Sequence, residues 1–279
     1  MTLRGMKCHI HQWNVEGNAS PKALCIVYHG FLAHGNYPTV RYAAECLAEE
    51  GYAVVAADML GHGKSEGMRG YLDSAEMVTQ DGILITEHAR TLVPGATKLV
   101  LVGSSMGGSI ALSVAQNLKD PSILAGVVLL APMLKLNVSG IEHGLLTGLS
   151  YLIPSLALIP SSATSSEKQY RDPVKRKECD DDTLTVSGAK LRVASALACV
   201  DITLNLRKEF PNIKCPFIVM IADEDVVVKN AGSEELMEVS PSPDKTVKHY
   251  PALHGLLCEP SPLFEEIKKD MLDWIVDRV

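Results

Sequence analysis

The chain has 279 residues, of which 47% are hydrophobic, and its formal net charge at pH 7 is -7. This length fits one large α/β domain with an insertion, and the hydrophobic content allows a sizeable core. The acidic balance disfavours nucleic acid as a partner.

The cysteines and the apolar runs indicate the cellular compartment of the protein. The seven cysteines are scattered without a Cys-x-x-Cys pair, which favours neither a disulfide framework nor a zinc site and indicates a reducing compartment. The first 13 residues are polar, so we expect no signal peptide. No run of 18 apolar residues is present to span a membrane. We therefore expect a cytoplasmic protein that associates with membranes only transiently.

Apolar runs alternate with amphipathic stretches along most of the chain. The predicted strands are 8–14, 23–28, 53–57, 98–102, 125–130, 216–221 and 246–250, and the predicted helices are 38–50, 76–92, 106–118, 229–239 and 262–278. Strands followed by helices of this length are typical of βαβ units. The pattern predicts a mostly parallel central sheet with helices on both faces.

This alternation breaks between about 133 and 205. An uncharged stretch at 144–166 precedes a charged segment at 167–182, and 191–206 again has a helical pattern. A break of this size after a sheet strand is typical of a cap over an active site. The alternative is a set of extra helices packed on the core.

We therefore predict an α/β core from residues 1–132 and 207–279, with a cap inserted at 133–206. Within the cap, Pro154 should end or kink any helix. The apolar side chains before and after it are expected to line an apolar tunnel and to offer a weak contact to a membrane surface. The substrate-binding candidates among them are Leu149, Leu152 and Leu156. An ordinary buried helix is the alternative.

A serine lies where the fourth predicted strand meets the next helix. The sequence around Ser105 is Gly-x-Ser-x-Gly, directly after the apolar run 98–102 and before the helical stretch 106–118. A serine on such a sharp turn points its hydroxyl away from the sheet, and the glycines avoid collisions with the neighbouring strand and helix. The turn therefore predicts a nucleophile at Ser105. A glycine-rich packing turn is the alternative.

A serine nucleophile needs a base, and nine histidines are available. His254 follows the last predicted strand and precedes the C-terminal helix, so it should lie at the same sheet edge as Ser105. His249 falls inside that strand, where it should pack or face solvent. His254 is therefore the predicted base.

The base needs an acid that fixes its tautomer. Asp225 follows the strand 216–221 on a loop, and Asp223 and Glu224 are rival candidates on the same loop. The chain order Ser105, Asp225, His254 is the order found in α/β-hydrolases.

Two backbone N–H groups must hold the oxyanion. We expect one from Met106, directly after the nucleophile, and one from Phe31, in the loop after the strand 23–28. In the same loop, His29 is better interpreted as a brace than as a second base. Together with Gly30 and His34 it is expected to border the substrate.

Four local patterns resemble the α/β-hydrolase family and, more narrowly, its monoacylglycerol lipase and lysophospholipase-like branch. They are His29-Gly30 with its loop, the segment Asp58 to Ser65, the turn Gly103 to Gly108, and Asp225 with His254. The resemblance covers most of the chain outside the cap. It implies a capped α/β-hydrolase fold and a serine ester hydrolase.

The resemblance also has departures. Where monoacylglycerol lipases carry a glutamate, an arginine and a second histidine, this chain has Ala33, Asn36 and Leu257. Those polar groups are thought to hold the glycerol, so the departures concern the alcohol part of the substrate rather than ester hydrolysis. Ser104 precedes the nucleophile where His or Glu is more usual.

These observations together predict hydrolysis of a monoacylglycerol or a similar single-chain lipid ester through an acyl-enzyme on Ser105. Lysophospholipids and small aromatic esters, such as caffeoyl esters, are alternative substrates. A ligand receptor that keeps the triad is the alternative from another class. No metal or organic cofactor is implied.

Overall fold

The computed structural model describes residues 1–14, 20–160, 165–186 and 190–279. The strands are β1 (Thr2–Leu3), β2 (Met6–Lys7), β3 (Ile10–Trp13), β4 (Leu24–Tyr28), β5 (Ala53–Ala57), β6 (Leu99–Ser104), β7 (Leu124–Leu130), β8 (Ala157–Pro160), β9 (Lys190–Arg192), β10 (Phe217–Ala222) and β11 (Lys245–Tyr250). The helices are α1 (Pro38–Glu49), α2 (Ala75–Leu92), α3 (Met106–Gln116), α4 (Gly140–Leu152), α5 (Pro173–Asp181), α6 (Val193–Glu209), α7 (Ala231–Val239) and α8 (Leu263–Val276). The predicted stretch 144–166 and the predicted cap lie partly outside the described residues.

A central sheet organises the described part of the chain. Its strand order is β11-β10-β7-β6-β4-β5-β3. All neighbours are parallel except β3, which runs antiparallel to β5 at the edge. The inner strands β4, β6, β7 and β10 are almost entirely buried, as parallel strands covered on both faces must be. The mostly parallel sheet predicted from the sequence is thereby confirmed.

The two faces of the sheet bury separate layers of side chains. Leu101 faces the layer that contains residues of α2, α3 and α6. Its neighbour Val100 faces the opposite layer, which contains residues of α1 and α8. This alternation follows from the two-residue period of a strand, so each apolar run supplies both layers.

The segment that interrupts the alternation forms its own small structures. α4 begins with a capping box between Ser139 and Glu142 and ends at Leu152, two residues before Pro154. β8 and β9 pair antiparallel beside it. α6 packs against α4 on one side and against α2 and α3 on the other. Since α6 continues to Glu209, it crosses the predicted boundary at 206 and anchors the segment to the core.

Within the part of the chain that the structure describes, no helix combines the length and the apolar character needed to cross a membrane.

Candidate active site

Ser105 lies on the turn between β6 and α3 with a left-handed backbone, φ 55° and ψ -122°. The neighbouring glycines make this turn possible. A Cβ on Gly103 would lie 2.1 Å from the carbonyl oxygen of Gly107, and a Cβ on Gly107 would lie 2.0 Å from that of Tyr28. Neither position can hold a side chain, and this explains why the sharp turn predicted from the sequence requires glycine there.

Backbone hydrogen bonds hold this strained turn against the next strand. The Ser105 N–H donates to the carbonyl of Leu130 at 3.0 Å, and the Met133 N–H donates to the carbonyl of Ser105 at 2.9 Å. These bonds stabilise an unfavourable backbone conformation from both sides. The serine is thereby held in place before any substrate arrives.

His254 and Asp225 form a hydrogen-bonded pair. His254 Nδ1 donates to Asp225 Oδ2 at 2.6 Å, and both side chains are buried. The other oxygen, Asp225 Oδ1, accepts the N–H groups of Val227 at 2.7 Å and Val228 at 3.1 Å. The carboxylate is therefore fixed on one side by backbone and directs the imidazole on the other, which leaves Nε2 available. His254 and Ser105 line the same cavity.

The rival acids on this loop have other partners. Asp223 accepts a hydrogen bond from His249 at 2.8 Å, with both side chains about half exposed. Glu224 pairs with Arg171 at 3.0 Å. The structure thus brings Asp225, and neither rival, to His254.

The expected oxyanion donors lie beside the serine. A Cβ on Gly30 would be 3.2 Å from Ser105 Cβ, so the loop that carries Phe31 runs close to the nucleophile. Among the described residues, no protein acceptor takes the N–H of Phe31 or of Met106. Met106 is also the first residue of α3, whose positive dipole end favours negative charge at this point. Both groups can therefore donate to an oxyanion.

His29 does not border the cavity, contrary to the expectation that it binds substrate. Its Nδ1 bonds to the carbonyl of Gly30 at 2.7 Å, and its Nε2 accepts the N–H of Met59 at 3.0 Å. Complete burial lowers the pKa of His29 to about 4, so the ring is neutral at pH 7. Because both ring nitrogens are used, His29 acts as a brace of the loop.

His34 is also buried away from the cavity. Its Nε2 lies 2.9 Å from a carboxylate oxygen of Asp182, just beyond α5, and its Nδ1 accepts the N–H of Asn36 at 3.2 Å. Its side chain is 1% exposed. In this structure His34 therefore does not line the cavity, contrary to the expectation, and instead ties the loop to the end of α5.

A cavity of about 430 Å³ opens in front of Ser105 and His254. One part of its wall is apolar and includes Leu136, Val138, Leu146, Ile159, Leu191 and Val200. Another part carries hydroxyl and amide groups, from Tyr37, Thr39, Gln169 and Tyr170. The cavity has the size of a small-molecule site and offers both an apolar and a polar region.

The cap leucines predicted to line a tunnel face outwards instead. Leu149, Leu152 and Leu156 are 37%, 80% and 50% exposed and do not border the cavity. On α4 it is Leu146 that turns inwards, where it packs with Ala196 and Val200 of α6. The sequence did not reveal which face of α4 is buried, because that face is decided by the partner helix.

Two tyrosines that the sequence did not single out shape the polar region. The hydroxyls of Tyr37 and Tyr170 are 3.0 Å apart in a buried contact. Beside them, the Gly255 N–H donates to the carbonyl of Gln169 at 2.8 Å. The loop of His254 is therefore joined to the inserted segment. No local pattern marks Tyr170, which stands in a charged stretch.

Comparison with known proteins gives the family of this chain. A family model described as serine aminopeptidase, S33 matches residues 19–261. Caffeoylshikimate esterase from Arabidopsis thaliana is 30% identical over 239 residues, covering 82% of this chain and 70% of that protein. Human monoglyceride lipase is 29% identical over 277 residues, covering 95% and 86%. A soluble variant of monoglyceride lipase from Saccharomyces cerevisiae, solved with a substrate analog, is 20% identical with a TM-score of 0.85, covering 100% of this chain and 94% of that one.

Proposed function

We propose that the substrate of this chain is a single-chain lipid ester, such as a monoacylglycerol. The chain belongs to the serine aminopeptidase S33 family, and it is a carboxylic ester hydrolase with the α/β-hydrolase fold. The observation that carries the proposal is the cavity in front of Ser105, whose wall is apolar around Leu146 and Ile159. Each methylene of an acyl chain buried there contributes about 0.8 kcal/mol. The human relative's name, monoglyceride lipase, supports the same substrate class.

In the proposed mechanism, Ser105 Oγ attacks the ester carbonyl while His254 Nε2 takes its proton. Asp225 holds the imidazole by its bond to Nδ1 and stabilises the imidazolium. The N–H groups of Met106 and Phe31 donate to the oxyanion. His254 then protonates the departing alcohol, and it later activates the water that releases the carboxylic acid.

We also propose that residues 133–206 act as a cap on a core of residues 1–132 and 207–279. The support is that the apolar wall of the cavity draws on side chains of this segment, among them Leu146 and Ile159. A cap of this kind excludes water from the acyl-enzyme.

A second candidate is an ester whose alcohol carries a negative charge. Lys229 borders the cavity, and none of the ion pairs found among the described residues involves its ammonium. An unpaired cation there would attract a phosphate or carboxylate group, as lysophospholipids and caffeoyl esters of acidic alcohols possess. The caffeoylshikimate esterase relative is consistent with this alternative.

A matched substrate panel tests both candidates. We expect the highest Ser105-dependent kcat/KM for monoacylglycerols, measured against lysophosphatidylcholine, lysophosphatidic acid, a caffeoyl ester of an acidic alcohol and a short p-nitrophenyl ester. A long acyl chain fills the apolar wall of the cavity, which favours the lipid esters over the caffeoyl and p-nitrophenyl esters. Among the lipids, a neutral glycerol avoids the cost of moving a charged phosphate out of water.

Lys229→Gln is the matched control for charge in the same panel. If the neutral lipid is the substrate, this variant changes kcat/KM for monoacylglycerol less than about twofold. Preference for an anionic ester, reduced severalfold in the variant, would contradict the first candidate and support the second. Activity confined to the short ester would contradict both.

For partners and location, we propose that an exposed apolar face on the cap touches lipid surfaces weakly. This apolar cap face consists of Ile141, Leu145, Leu149, Tyr151, Leu152 and Leu156. Ile141, Tyr151 and Leu152 are 79%, 84% and 80% exposed. A contiguous apolar patch of this kind on a surface marks an interaction site. We also propose a cytoplasmic location, because seven free cysteines are typical of a reducing compartment.

Replacing Ile141 and Leu152 together with serine should weaken binding to phosphatidylcholine vesicles by about tenfold. Each partly inserted side chain contributes roughly 0.7 kcal/mol, about half or less of the value for full burial, and two such losses make one decade. Co-sedimentation measures the effect. Val276→Ser is the control, because Val276 is 53% exposed on α8, outside the cap. Equal vesicle binding by both variants would contradict the proposal.

A further inference from the structure

Two histidines and an aspartate that the hydrolytic mechanism does not use meet where β5 ends beside the start of β3. They are His9, His11 and Asp58, and their ligand atoms all lie within 4.8 Å of one another. The spacing in the chain conceals this group, because the aspartate follows β5 while the histidines stand before and within β3. Cysteine spacing, on which the sequence expectation of no zinc site rested, gives no information about it.

The pairing of the two strands produces the cluster. β3 runs antiparallel to β5 with His11 opposite Ala56, and the Asp58 N–H donates to the carbonyl of His9 at 3.0 Å. His9 and His11 are two residues apart, so an extended chain places their side chains on the same face. Their rings lie 4.6 Å apart between centroids.

Asp58 carries a buried charge that lacks a strong counterion. Its side chain is 0% exposed, and its pKa is lowered despite the burial, chiefly by its hydrogen bonds to His11 and to the backbone of Lys64 and Gly35. Among the described residues, no lysine or arginine side chain pairs with it; its ion-pair partner there is His11, at 2.7 Å. A buried carboxylate held by dipoles and an imidazole is a suitable ligand for a cation.

The surroundings already hold this carboxylate in position. Oδ1 accepts the N–H of Gly35 and Oδ2 accepts the N–H of Lys64, each at 2.7 Å. A Cβ on Gly63 would lie 2.2 Å from Oδ2, so the backbone closes tightly around the group. Such outer hydrogen bonds orient a ligating carboxylate and raise metal affinity.

From this geometry we propose that His9, His11 and Asp58 bind a zinc ion, with water as the fourth ligand. Zinc bonds of about 2.0–2.2 Å place tetrahedral ligand atoms roughly 3.3 Å apart, which small side-chain rotations reach from the present arrangement. His11 Nε2 now donates to Asp58, so binding through it moves the ring proton to Nδ1. His9 is half-buried and its ring has no hydrogen-bond partner in the described part of the chain, so it is available to close on the ion.

The proposed site has a structural connection to the active site. Gly35 belongs to the loop that carries Phe31, and Asp58 is hydrogen-bonded to it. A metal that fixes Asp58 therefore also fixes the far end of the loop that supplies an oxyanion donor. The proposal itself concerns binding and does not depend on the substrate of the enzyme.

Calorimetric titration of the chelator-treated full chain with zinc chloride tests the site. We expect one zinc ion per chain with a dissociation constant in the micromolar range or below, no saturable binding of magnesium, and a rise in Tm of a few degrees at saturating zinc. His9→Gln should weaken zinc binding at least tenfold without lowering the Tm of the metal-free protein, since the His9 ring makes no hydrogen bond to any described residue. His249→Gln is the control, because it removes another histidine beside an aspartate.

Two outcomes would overturn the proposal. One is the absence of saturable zinc binding to the unmodified chain. The other is equally strong zinc binding by the His9→Gln and His249→Gln variants. That result would assign the ion to thiols or to the catalytic histidine.

Discussion

Replacement of Ser105 by alanine is expected to lower kcat/KM for ester hydrolysis by at least ~10³-fold. In the proposed mechanism, the variant loses the oxygen that forms the acyl-enzyme, while the proposed oxyanion donors and the cavity remain. The change removes one hydroxyl at a partly exposed turn whose backbone bonds to Leu130 and Met133 are unaffected. We therefore expect an unchanged fold, with a Tm within about two degrees of the parent.

The adjacent serine provides a matched control for this experiment. Ser104 also borders the cavity, and it differs from Ser105 by one position at the end of β6. Ser104→Ala should retain activity within about threefold, and a fluorophosphonate probe should label it but not Ser105→Ala. Hydrolysis that persists in purified Ser105→Ala would show that the nucleophile lies elsewhere.

The core and the positions of Ser105, Asp225 and His254 were predictable because their signals are local. Strands such as β6 and β10 are continuous apolar runs, and the helices between them have amphipathic patterns. Candidate residues at the ends of such strands then fall at one sheet edge by topology alone. The sequence could not choose firmly between Asp225 and Asp223, because the choice depends on which carboxylate the loop turns towards His254.

The inserted segment was less predictable because its side chains are positioned by distant partners. Leu146 and Leu149 are equally apolar in the sequence, yet only the former meets α6. His34 seemed to border the substrate because it shares a loop with Phe31, but its ring is bound by Asp182, 148 residues further along the chain. Such contacts have no periodic signature, so a single sequence cannot reveal them.

Asp225→Asn is expected to reduce kcat by about 10⁴-fold, the size of effect that the equivalent change has in a serine protease triad. In the native enzyme, Asp225 Oδ2 accepts the Nδ1 proton of His254, and this keeps Nε2 free to take the proton of Ser105. An asparagine amide can donate to Nδ1 instead, and this would stabilise the tautomer with its proton on Nε2. That tautomer cannot act as the base, so the loss should appear in kcat far more than in KM.

Asp223→Asn separates this role from a general effect of charge on the same loop. Asp223 lies two residues away and bonds to His249 at the surface, where it is 48% exposed, so its loss should change kcat less than about threefold. The asparagine variant at 225 should still fold, because its side-chain oxygen can accept the N–H groups of Val227 and Val228 as the carboxylate does. If both variants lose activity equally, the loop charge rather than the tautomer of His254 governs catalysis. If Asp225→Asn stays active and Asp223→Asn does not, the acid of the triad is Asp223 and the loop rearranges when substrate binds.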